Sequence, residues 1–442
     1  MIEPYALDRA ITSASLAIRR ARETLRAEPE ASPERPLAGH DRVSRRDELV
    51  ELADLAERRA DEPMWPAAVP HVRELVLSRA TFVDERREAL ARAVDLHTIE
   101  SPVRGERTVA SMLDAVMVSR VDALVEAWAR TLEDSARSTQ TAAHFLLRRR
   151  LEAARLIGDF DLDRHDSPVA EPALLYKLAR GVLDLTSDVV PPARSWEQAI
   201  VASIGRTGHE GFPGKLTTRW LASTLPEGLI DGLAPDVKAP PRLLGASSFA
   251  RALADLGGAI AAADIPRGLP RCIARAPHDL LIARRAGLFG ALVAHAPFLR
   301  RKLELSRGAA RDQASAAERL LLAALRLDAA RVLAREVDPR HEGAQERTAE
   351  IVSRAMGAVV PPKLAYVVPR MGPGDAVRLV GGVLAYSDRE RIVDALDDDW
   401  FASPRAADLL RHAHHEHRAA FRAGEVDIDG SLAALRRTVD GL

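Results

Sequence analysis

The sequence predicts an all-α protein, large and two-lobed, with little or no sheet. Three observations carry this. Apolar residues recur at spacings of three and four over long stretches, residues that start and stop helices punctuate the chain, and no period-two alternation bounded by hairpin turns appears. With 442 residues the chain buries a large core. The polar, proline-containing stretch from Asp159 to Pro172 divides it into an N-terminal helical lobe (1–165) and a C-terminal one (166–442).

Taken in order, Glu28 to His40 carries Pro29, Pro33 and Pro36 and is expected as an exposed loop. Val109, Met112, Leu113, Val116, Val121, Leu124, Val125, Trp128 and Leu132 form one stripe on a long helix. Arg148 to Arg150, beside Glu152, is a solvated helix face. Thr207–Pro213 is loop-rich and leads into a helix expected to contain Thr217, Arg219 and Trp220, and Ala234–Leu244 is loop-rich as well.

From His278 to Val337 the chain is mostly helical, with a stripe at Leu320, Leu321, Ala324, Leu327, Ala330, Val332 and Leu333. Gly357 after Met356 is a helix stop, and Pro361-Pro362 prevents continuation. Leu364 to Val368 suits one short strand at most. Ser387-Asp-Arg-Glu390 is written as a capping box, and Ser403-Pro404 as a cap before a proline at the first helical position.

Composition narrows the function. Formal net charge is −1, so no global field favours nucleic acid or anionic lipid. The cations are almost all arginine, with lysine only at 177, 215, 238, 302 and 363, a compositional bias rather than a nucleic-acid signature. Cys272 is the only cysteine, which rules out an intrachain disulfide and suits a reducing compartment, the cytoplasm by default. No signal peptide and no apolar run of membrane-spanning length is read.

Few residues carry chemistry. His209-Glu210 begins like a zinc-peptidase motif, but Pro213 stands where the second histidine is needed and, with Gly214, breaks the helix. His412, His414, His415 and His417 hold two pairs three apart, able to chelate a metal at a helix surface, yet they fan around the axis and read as a solvated face. His278-Asp279 is a helix start with Asp279 as the cap, or an acid–base pair. Cys272 lies between Arg271 and Arg275, a nucleophile if their charge lowers its pKa and a packing residue if it is buried. No phosphate-binding glycine signature is present.

The most telling stretch is Gly245-Ala-Ser-Ser-Phe-Ala-Arg-Ala-Leu-Ala-Asp-Leu-Gly-Gly-Ala-Ile260, followed by Ala261 to Ala263. Its frame resembles the active helix of the thimet-oligopeptidase and oligoendopeptidase family of zinc metallopeptidases, where a small-residue stretch leads into His-Glu-Leu-Gly-His-Ala. Ala254 and Gly258 stand at the two histidine positions and Asp255 at the general-base glutamate. The segment Asp397-Asp-Asp-Trp-Phe-Ala-Ser-Pro-Arg405 is similar to one near the end of such chains.

Ala and Gly have no donor atoms, so neither position binds metal. The family's third ligand, a glutamate roughly two to three dozen residues downstream, has no counterpart, since Asp264 and Asp279 are the only acids between Gly258 and Leu303.

The resemblance implies a catalytically inactive relative with no cofactor and no metal. It implies a helical cleft that binds a peptide or protein, with the Ala254/Gly258 face on its floor and Arg242, Ser247, Ser248 and Arg251 as candidate lining. Two other readings stand beside it. One is an active hydrolase using His209, Glu210 or His278; the other is a purely structural helical scaffold, in which the Gly257-Gly258 pair serves close helix packing.

Overall fold

The computed structural model describes residues 3–33, 35–96, 98–101, 105–108, 122–158, 172–190, 192–203, 217–226, 228–231, 233, 235–236, 245–265, 268–274, 279–368, 371–372, 374–411 and 427–442. The fold is all-α. The first part comprises α1 (Pro4–Ala27), α2 (Arg46–Arg58), α3 (Met64–Leu96), α4 (Asp122–Ser135), α5 (Arg137–Leu156), α6 (Pro172–Leu185), α7 (Trp196–Ser203) and α8 (Thr218–Ser223). The second comprises α9 (Ala246–Ala263), α10 (Arg271–Ala274), α11 (Leu280–Gly290), α12 (Ala296–Lys302), α13 (Arg307–Ala334), α14 (Ala344–Met356), α15 (Asp375–Leu396), α16 (404–411) and α17 (Ile428–Asp440).

Helix α11 lies between α9 and α15, and small residues allow both approaches. A Cβ at Gly257 of α9 would meet Phe289 Cβ at 2.7 Å and the Arg285 carbonyl at 2.9 Å. On the other side, a Cβ at Gly287 would meet Ala385 Cβ at 2.9 Å, and one at Gly381 would meet Ala283 Cβ at 2.8 Å. At such separations the packed surfaces are nearly backbone on backbone, which only glycine permits. Around this stack Phe249, Phe289, Phe298, Trp400 and Phe401 are fully buried, with Phe298 edge-on to Phe401 at 5.2 Å.

Local signals account for several helix ends. Asp279 accepts from the backbone N–H groups of Leu281 and Ile282 and so starts α11. Gly357 ends α14 in the left-handed region at φ 68°, its N–H donating to the Ser353 carbonyl. Thr217 caps α8 from outside rather than lying within it, accepting from Trp220 N–H at 3.1 Å.

Elsewhere packing overrides the local pattern. Ser387 is no cap: α15 runs through it, carried by the buried Val383, Leu384 and Ile392, and its hydroxyl donates back to the Leu384 carbonyl at 2.9 Å. Leu364 to Val368 is not a strand: Leu364 ends a 3₁₀ turn (Pro362–Leu364) and the chain continues as an irregular turn, pinned by Gln140 of α5, whose amide donates to Pro362 O and accepts from Tyr366 N–H. The one pair of strands among the described residues is elsewhere, antiparallel β1 (Thr98–Ser101) and β2 (Gly105–Thr108).

In α13 the buried positions include Ala310, Ala314, Ala317, Leu322, Leu325, Ala329, Ala330, Val332 and Leu333, while Ala324 is exposed; the helix is covered from more than one side, so no single stripe describes it. Leu37 and Ser32 are buried within the expected exposed loop. The part of the long Val109–Leu132 stripe from Asp122 onward forms α4; residues 109–121 lie outside the described residues.

One cluster of buried residues joins Val125, Trp128 and Leu132 of α4 to Trp196 of α7, Val352 of α14 and Leu364, so residues on both sides of position 165 share a core.

Candidate functional site

The frame that resembles a zinc helix is α9. Ala254 and Gly258, one turn apart, share a face, and that face is met by α11. A Cβ at Gly290 would lie 3.3 Å from Ala254 Cβ, and one at Gly258 would lie 3.3 Å from Ile282 Cγ2. Residues here do not fit zinc: the two ligand positions carry no donor, and the space a histidine would need at 258 is filled by Ile282 and Ala286.

Asp255 and Arg251 sit on the exposed side of α9, and Ser247 and Ser248 are half-buried in its first turn. Arg242, His209, Glu210, His278 and the His412–His417 cluster lie outside the described residues. Among the described residues no group of three or more His, Cys, Asp or Glu is placed to hold a metal ion.

Cys272 is buried, its backbone N–H donating to Asp8 of α1 at 2.9 Å. Burial, reinforced by Asp8, pushes the thiol well above its ordinary pKa and outweighs the opposing effect of Arg271. It stays a thiol at neutral pH, which removes the nucleophile reading.

Sequence reasoning missed the buried arginines. Arg326 of α13 donates from Nε to Ala355 O at 2.9 Å, from Nη1 to Leu183 O at 2.9 Å and Thr186 Oγ1 at 2.8 Å, and from Nη2 to Arg354 O at 2.6 Å. It thus satisfies the last carbonyls of α6 and α14 together, where a cation is favoured by the helix dipoles. Arg284 of α11 pairs with Asp388 of α15 in a two-point, buried ion pair. Its neighbour Arg285 donates to the Leu410 carbonyl at 2.8 Å. Runs of arginine in the sequence look like solvated faces, so nothing local distinguishes these three.

His295, buried edge-on to Phe401, is lowered to about 4, first by burial and then by Arg389, with Asp398 opposing.

A cavity lies elsewhere, a groove of about 1030 Å³ between α3, α4 and α5. Ala91, Val94, Ala142 and Phe145 give it an apolar lining, with Val94 76% and Phe145 57% exposed. Asp84, Arg87, Asp134 and Arg137 set charges of both signs around it. Asp95, at the end of α3, fixes one wall: its carboxylate accepts from the Thr139 backbone N–H at 2.8 Å and from the Ser138 hydroxyl. Ala136 leaves α5 without a side-chain cap of its own, so Asp95 caps it from another helix.

The chain matches no protein-family model and no curated protein. Among the described residues no helix is long and apolar enough to cross a membrane.

Proposed function

We propose that this protein is a non-catalytic helical scaffold of the cytoplasm, in which the small-residue frame at 245–263 serves helix packing. One observation carries the reading: Ala254 and Gly258, at the two histidine positions of the frame, are in contact with α11. A zinc peptidase needs that face open to water and substrate. Descent from such a peptidase is compatible with this reading, since glycine and alanine at those positions let α11 approach. The cytoplasmic assignment rests on the single, buried cysteine.

The test is incubation of the full chain with a mixed peptide library, with added zinc or with chelator. No cleavage is expected in either. Cleavage abolished by chelator and by His209→Ala would overturn the scaffold reading in favour of a hydrolase.

A second reading is favoured by the exposure of Val94 and Phe145 in the α3–α4–α5 groove: the scaffold takes a partner's peptide there, apolar side chains on the lining and charges of both signs at the rim. Peptides selected from a display library on the wild type should lose binding to Phe145→Asp. Peptides that bind both proteins alike would place the contact elsewhere.

A further inference from the structure

We draw no further inference here: the strongest candidate, the groove between α3, α4 and α5 with Val94 and Phe145 exposed on its lining, belongs to the site already described, and nothing in the structure shows what covers it.

Discussion

Gly257 of α9 stands directly over Phe289 of α11, so close that a Cβ on the glycine would lie 2.7 Å from the phenylalanine Cβ. Gly258, the next residue, has more room, with its nearest neighbour a side-chain methyl of Ile282 at 3.3 Å. Adjacent glycines in one helix therefore do different things. Glycine in a helix costs about 1 kcal/mol relative to alanine. At 257 the close approach requires it; at 258 a small shift of a methyl would relieve the contact.

Gly257→Ala is expected to destabilise the protein by about 1–3 kcal/mol, because overpacking outweighs the gain in helix propensity. Gly258→Ala should come within about 1 kcal/mol of the wild type. Chemical denaturation of the two variants side by side decides it. Equal effects would mean that α9 and α11 are not in register as described.

Restoring the zinc frame gives a second expectation. Ala254→His with Gly258→His and Asp255→Glu drives two imidazoles into α11, costing about 1–3 kcal/mol or more at each histidine. Melting temperature should fall, and zinc should not restore it. A triple variant that unfolds near the wild-type temperature and is stabilised by zinc would reveal an open cleft along this face.

Arg326 supplies a third. Arg326→Met keeps much of the volume but strips the Leu183, Arg354 and Ala355 carbonyls of a donor. A loss of about 3 kcal/mol is expected, because buried acceptors left unpaired cost more than a made hydrogen bond returns. Arg326→Lys should recover little, since one ammonium cannot span three carbonyls at the ends of two helices. Wild-type stability in the lysine variant would show that charge alone, and not the fork of donors, matters here.

What could be read from the sequence follows from how far each interaction reaches. Asp279 and Gly357 act on backbone within a few residues, so their roles are written locally, and the all-α class follows from many such signals. Ser387-Asp-Arg-Glu390 carries the same kind of local signal, and burial of Val383, Leu384 and Ile392 overrides it. The Gly257-Gly258 pair announces a close contact without naming its partner, because Phe289 and Ile282, which meet it, lie on another helix. For the same reason the groove is invisible in the sequence: Val94 and Phe145 look like ordinary apolar residues until α3 and α5 pack. Arg285 and Arg326 look like any arginine in an arginine-rich chain.

His295 gives the last expectation, in acid. Burial first, and Arg389 second, lower its pKa to about 4, against about 6.5 in an unfolded chain. Its Nδ1 has no hydrogen-bond partner among the described residues. The folded protein therefore excludes a proton that the unfolded chain accepts. Above pH 6.5 both states are neutral and the residue adds no pH dependence. As pH falls from 6.5 toward 4 the unfolded state is progressively favoured, and below about 4 the folded state also binds the proton and the effect levels off. A shift of this size corresponds to about 3 kcal/mol across that window. Carboxylates titrate in the lower part of the same range, so the useful measurement is a difference. His295→Leu keeps the apolar packing against Phe401 and removes the titrating group. Its stability, measured by denaturant unfolding from pH 7 to pH 4, should decline less than that of the wild type, with the gap opening below pH 6.5. Parallel decline of the two proteins would show that His295 is protonated in the fold, with Asp398 rather than burial setting its charge.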